Sequence, residues 1–396
     1  MKIRNYVDKI KPKFQKGGKF AFLESTFDAF ETFLFVPNKT THKGAHIRDS
    51  IDLKRVMITV VVALLPALIF GMWNVGYQYH LSMGQHVGIF QNFWFGFLKV
   101  LPLIIVAYIS GLGTEFIFAQ IKHHEVNEGF LVSGLLIAMI VPVDVPLWMV
   151  AFSTILAVVI AKEVFGGTGY NFMNPALVTR AILFFAYPTK MSGSEVWIAN
   201  ITKNPNLVDG FSGATILGEL AQVRTLEQLD KVQQHFPLIN QVIGTIPGSI
   251  AETSFIAIAI GAIILLVSGI GSWKTMLSGF LGGIFVGVLF NLIGANAYMQ
   301  LPWYEHLFIG GFAFGMVFML TDPVTSAHTE TGKWIYGFLA GAFAIVLRVL
   351  NPAYPEGVML SILLMNVFAP WIDHLVVQNH IKRRMKRVEI TNSKNI

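Results

Sequence analysis

Hydroxyls, amides and acids that could do chemistry are few in this chain, and they fall into three groups. The first is "VDGFSGATIL" at residues 208–217, where Asp209, Ser212 and Thr215 surround two small residues in the one long polar stretch of an apolar chain. Gly213 and Ala214 leave Thr215 almost without steric cover, so something bulky can approach its hydroxyl. The stretch lacks the activation expected of a nucleophile, having neither a Gly-x-Ser-x-Gly elbow nor a base assignable by spacing. Local chemistry yields a threonine that is presented but not activated, and a plain turn fits the same letters.

The second group lies in "AKEVFGGTGYNFMN" at residues 161–174. Its glycines match neither the Walker nor the dinucleotide fingerprint, which argues against a phosphate cradle. Asn171 and Asn174 carry donors and acceptors able to pair with the edge of a flat ring, Phe172 is close by, and Lys162 can stabilise an anionic ring. Asn174 before Pro175 is equally an ordinary helix N-cap. The third group is acids in apolar surroundings: Glu115 in "ISGLGTEFIF", Asp322 after "FGMVFML" and Asp373 in "FAPWIDHLV". A charge at membrane depth costs a few kcal/mol, so such acids serve an ion path or a pair, unless they cap helix ends at the interface. "KHHEVNE" at residues 122–128 lacks the spacing that puts two imidazoles on one helix face and reads as a polar loop, so no metal site is expected.

What positions these groups is a membrane-embedded chain. Of 396 residues 54% are hydrophobic and 13% charged, about half the charge of a soluble domain, and mean hydropathy is +0.59. Apolar runs near 56–73, 93–121, 129–141, 146–160, 174–187, 254–270, 276–293, 306–320, 334–350 and 358–375 predict about ten spans. Strand-like alternation is absent, so the expected class is an all-α polytopic membrane protein rather than a barrel. No cleavable signal peptide is expected, because residues 1–55 open basic and polar. An amphipathic surface helix is expected near 20–35. The net charge of +6 is explained by topology rather than nucleic acid, since Lys and Arg cluster at 2–19, 54–55 and 382–387. Positive charge stays cytoplasmic, which puts both termini there and the 189–253 loop outside. With no cysteine, disulfides and cysteine-ligated clusters are excluded.

"GFLVSGLLIAMIVPVDVP" from Gly129 resembles "GFAFGMVFMLTDPVTS" from Gly311, and each precedes an Asn-Pro-Ala, at 174–176 and 351–353. Five spans per unit would turn the second copy upside down, giving two inverted five-helix repeats around a midplane site. The common occurrence of Gly and Pro in membrane helices is the alternative source of such matches. The expected plan is a cytoplasmic region 1–55, a first repeat 56–188, an outside loop 189–253, a second repeat 254–376 and a basic tail 377–396.

Residues 209–215 also resemble the Asp-x-x-Ser/Thr-Gly-Ala-Thr signature at which a separate flavin transferase esterifies the phosphate of FMN to the last threonine. With "HIRDSIDLKRVMI", "KHHEVNEGF", "AKEVFGGTGYNFMNPAL", "IPGSIAE", "GGFAFGMVFMLTDPV" and "RVLNPAYPEGVML", the chain looks like the B subunits of the sodium-translocating NADH:quinone oxidoreductases over about residues 46–384. The resemblance implies a ten-helix bacterial inner-membrane protein working with five other subunits, carrying covalent FMN and a riboflavin and reducing ubiquinone while Na+ is exported. It implies FMN on Thr215, riboflavin near Lys162, Asn171, Phe172 and Asn174, and a sodium path through Glu115, Asp322 and Asp373. A quinone contact is implied at Gly111, but the second glycine that the family has there is Leu112 in this chain. NADH should bind elsewhere, since no dinucleotide fingerprint follows a strand. The D-type subunit of the related ferredoxin:NAD oxidoreductase shares the flavin motif. A flavin-free channel or transporter on the same repeat is the rival from another class.

Overall fold

The computed structural model describes residues 2–14, 53–122, 129–194, 196–201, 208, 212–352 and 354–394, with isolated positions between 18 and 45. Asp209, residues 123–128 and most of the helix expected at 20–35 lie outside the described residues. Every regular element among the described residues is helical. A short amphipathic helix, α1 (Lys2–Ile10), precedes the membrane region.

Among the described residues, six helices are long and apolar enough to cross a membrane. They are α2 (Leu53–Ser82), α3 (Ile89–Lys122), α5 (Leu147–Ala161, extended by one turn to Phe165), α11 (Trp273–Ile293), α12 (Glu330–Leu350) and α13 (Val358–Lys394). Three others are apolar but short: α4 (Phe130–Ile140), α6 (Pro175–Ala186) and α10 (Phe255–Val267), with 11, 12 and 13 residues. At 1.5 Å per residue these reach about 17–20 Å, well under the roughly 30 Å of hydrocarbon. The remaining expected span, near 306–320, is broken. One turn at Glu305–Phe308 and one at Phe312–Phe314 run into a π-helical stretch, Gly315–Met319. Each apolar run of the sequence thus has a helical counterpart, and four of the ten fall short of a full crossing.

The broken elements are the ones most deeply enclosed. In α4 every residue from Gly134 to Ile140 is buried, and so is every residue from Phe312 to Met319. Lipid cannot satisfy exposed backbone groups, so interrupted helices are tolerated only where protein surrounds them. The long helices form that sheath, and glycines let them close in. A Cβ on Gly341 of α12 would fall on the Gly279 carbonyl of α11, and one on Gly282 would meet the Phe338 carbonyl. In the first half, Gly96 of α3 lies against the Met72 backbone of α2, and Gly76 of α2 against Asn92. The halves meet where Gly261 of α10 presses on the Ala63 carbonyl of α2. Such small-residue contacts are how membrane helices associate without a hydrophobic driving force.

Between α6 and α10 the described part of the polar segment, residues 212–253, is about half helical. It contains α7 (Ile216–Leu220), α8 (Leu226–His235) and α9 (Leu238–Ile243). Thr225 opens α8 with a reciprocal capping box to Gln228. Gln233 of α8 donates to the Glu305 carboxylate at 2.7 Å, tying α8 to the start of the broken segment. Burial raises the Glu305 carboxyl above its ordinary value.

Candidate functional site

Thr215 is the N-cap of α7, and its Oγ1 accepts from the Gly218 amide at 3.2 Å. Ser212 is exposed, its Oγ accepting from the Ala214 amide at 3.3 Å, a turn closed by side chain on backbone. Gly213 is needed where it stands, because a Cβ there would strike the Ser194 carbonyl. The residue expected on an open loop is instead half-buried at the edge of a cavity. That cavity holds about 680 Å³ of empty space, some of it continuous with solvent.

Four charged side chains line it alongside Thr215: Arg180, Glu252, Arg348 and Glu356. Arg180 Nη1 donates to Glu252 Oε1 at 2.9 Å, and Nη2 donates to the Glu356 carboxylate. Ser249 also donates to Glu252. Burial pushes the Glu356 carboxyl up, and Arg180 pulls against that; burial pushes the nearby Tyr354 hydroxyl up as well. Arg348 has no solvent exposure. Its Nη1 and Nη2 donate to the carbonyls of His306 at 2.8 Å and Ile309 at 3.0 Å, and its Nε has no partner among the described residues. Gly310 supplies the turn that brings these together, with φ of +61° and a missing Cβ that would otherwise crowd Leu217 and Arg348. Sequence reading found Thr215 but none of these four. The signal was there in the two arginines, each inside an apolar run where a charge demands a partner.

A second cavity of about 790 Å³ opens beside the start of α6. Lys162, Asn171, Asn174 and Asp322 line it together, with Ser133 and Thr168. The structure thus brings together two of the three sequence groups. Asn174 does both things open to it. Its Oδ1 caps α6 by accepting from the amides of Ala176 at 3.0 Å and Leu177 at 3.4 Å, while Nδ2 donates to Asp322 Oδ2 at 3.3 Å. Asp322 also accepts from the Val324 amide at 3.1 Å and the Thr325 hydroxyl at 3.0 Å. Among the described residues the Asn171 amide reaches only the Met173 carbonyl, at 3.5 Å. Phe172 packs against Phe165 in a tilted arrangement, with ring centroids 4.5 Å apart and planes at 59°, and is not part of the lining.

Glu115 is buried in α3 and paired with Lys162, whose ammonium also stands 6.0 Å from the Phe130 ring centre. Lys162 therefore brings its own counter-charge to the cavity. Asp373 lies apart from the other acids' partners. It accepts from the amides of His328 at 2.7 Å and Thr329 at 3.0 Å and from the Thr329 hydroxyl at 2.5 Å, fastening the start of α12. Gly111 is a packing glycine, since a Cβ would enter the Phe130 ring, whereas a Cβ on Gly113 would meet nothing.

Comparison with known proteins agrees in extent with this architecture. The model of the NQR2, RnfD, RnfE family matches residues 40–382. The chain is 47% identical over 412 residues to the B subunit of the Na(+)-translocating NADH-quinone reductase of Ectopseudomonas mendocina, covering 98% of this chain and 100% of that protein. It is 45% identical to the protein of the same name from Chromohalobacter salexigens, covering 98% and 97%, and 44% identical to that of Azotobacter vinelandii, covering 98% and 100%. A match of that depth over the whole length leaves no part of the fold to another lineage: the chain belongs to the NQR2, RnfD, RnfE family, alongside the B subunits of the Na(+)-translocating NADH-quinone reductases.

Proposed function

We propose that this chain is the B subunit of a redox-driven sodium pump, carrying FMN as a phosphoester on Thr215 and a riboflavin in the second cavity. The carrying observation is that Thr215, the last residue of the flavin-attachment signature, borders a cavity whose wall holds the buried Arg180 and Arg348 beside Glu252 and Glu356. FMN so held supplies the electron-transfer chemistry that no side chain of this cysteine-free protein offers. The chain's own contribution is to hold it. Ser212, Gly213 and Ala214 keep the approach to Thr215 low, and Asp209 belongs to the signature read by the transferase. A separate flavin transferase makes the bond, which is why Thr215 has no activating base.

In the second cavity Asn171 and Asn174 offer amides to a ring edge, and Lys162 and Asp322 set the local charge. Lack of a phosphate cradle there suits riboflavin, which has no phosphate. Electrons derived from NADH at a partner subunit leave to ubiquinone near Gly111, while Glu115, Asp322 and Asp373 serve Na+ on its way out. Five other subunits complete the complex in a bacterial inner membrane. The ten apolar segments form two inverted repeats of five, with both termini cytoplasmic and Thr215 outside. In support, the short helix α4 of the first half has its counterpart in the broken 312–319 segment of the second.

The D-type subunit reading shares the family but is disfavoured by the nearly complete two-way coverage with named B subunits. The test is in-gel fluorescence of the denatured chain. Wild type should fluoresce and Thr215→Ala should be dark at equal abundance. A dark wild-type chain from an active complex would return the protein to the flavin-free transporter class.

A further inference from the structure

We propose that Arg348 sets the reduction potential of the flavin held at Thr215, acting through a positive charge that no carboxylate among the described residues touches directly. The proposal rests on the reading of Thr215 as a flavin tether. Two guanidinium groups border the Thr215 cavity, and only one is in direct contact with carboxylates. Arg180 is engaged by two carboxylates, Glu252 and Glu356. Arg348 touches no carboxylate among the described residues. It is fully buried and held by two neutral carbonyls, with its Nε–H unused. A buried donor without a partner destabilises the fold. A site that keeps one on a guanidinium is built for an anionic ligand that completes it.

The held geometry suits that role. The carbonyls of His306 and Ile309 fix the guanidinium, and Phe312 closes one side with its ring centre 6.0 Å away. The charge therefore stays put when the ligand's charge changes. Arg348 would offset the negative charge that an added electron leaves on a flavin ring held in this cavity. Arg348 itself makes or breaks no bond and exchanges no proton, since a guanidinium stays protonated throughout. The electron derives from NADH oxidised elsewhere in the complex. Charge near the ring is one of the levers by which proteins tune a flavin.

The experiment uses the complete complex containing Arg348→Gln or Arg348→Lys. In-gel fluorescence first establishes that the flavin is on this chain; a spectroelectrochemical titration then reads its midpoint. Arg348→Gln should lower the equilibrium constant for one-electron reduction at least tenfold, or about 59 mV, and Arg348→Lys should hold it within about threefold of wild type. A Gln variant with its flavin in place and its potential unmoved overturns the proposal. So does an assembled Gln variant that has lost the flavin altogether, which would make Arg348 an anchor for the phosphoester. Should neither variant assemble, Glu356→Gln removes an opposing negative charge and should raise the constant about tenfold; no change there overturns it equally. Loss of fluorescence in wild type would refute the tether itself, and is read before any potential.

Discussion

Thr215 holds two positions at once, as the cap of a helix and as the proposed attachment point. Its Oγ1 accepts from the Gly218 amide, and esterification would leave that oxygen a weaker acceptor. Thr215→Ala should therefore cost about 1 kcal/mol of local stability in addition to the flavin, a small shift in thermal melting of the complex beside complete loss of fluorescence. Thr215→Ser keeps the cap and should regain both. Glu115 needs a more careful variant, because its partner is the buried Lys162. Breaking a buried pair from one side costs about 3–5 kcal/mol by stranding the other charge. Glu115→Gln alone should lower both assembly and turnover. The discriminating variant is the double replacement, Glu115→Gln with Lys162→Met. If Glu115 compensates a cation in transit, the double variant assembles but its half-saturating Na+ concentration stays raised several-fold. Recovery of wild-type sodium dependence would make the pair purely structural.

At the scale of elements, hydropathy was enough to find every apolar segment, because lipid solvation demands long runs of apolar side chains whatever their neighbours are. Length was the part it could not settle. A run such as 174–187 reads as a span, but α6 ends at Ala186 after 12 residues because Pro188 and the polar segment follow. The riboflavin candidates were legible as amides beside a proline; the pairing of Asn174 with Asp322 was not, being 148 residues apart in sequence. Arg180 was invisible for the same reason, its carboxylates lying 72 and 176 residues away. Glycine roles divided similarly. Nothing local marks Gly341 as the point where α12 touches α11, yet a side chain there meets backbone rather than anything that can turn aside. Gly341→Val should cost about 1–3 kcal/mol or more by overpacking, seen as lower thermal stability of the detergent-solubilised complex with the flavin still attached. A melting point equal to wild type would mean that the two helices are free to separate.

For the whole molecule the testable property is sidedness. The native chain has no cysteine, so single cysteines report without background. One at Ser212 should react with an impermeant reagent from the periplasm, and one at Ser393 only after the cytoplasm is opened. Cytoplasmic labelling at residue 212 would overturn the ten-crossing topology and the flavin's location together.

The two cavities are separated by very little protein. Pro175 borders one and Leu177 the other; Phe318 faces one and its neighbour Met319 the other. From Asn174 to Arg180 is six residues of helix, about 9 Å. Two unit charges at that separation interact by about 2 kcal/mol at an effective dielectric constant near 20, more than tenfold in occupancy. The partition thus behaves as the dielectric of a small capacitor, transparent to fields. Charging one plate alters the affinity of the other with no part of the protein having to move, and a midpoint potential that drifts with sodium concentration would be its electrical signature.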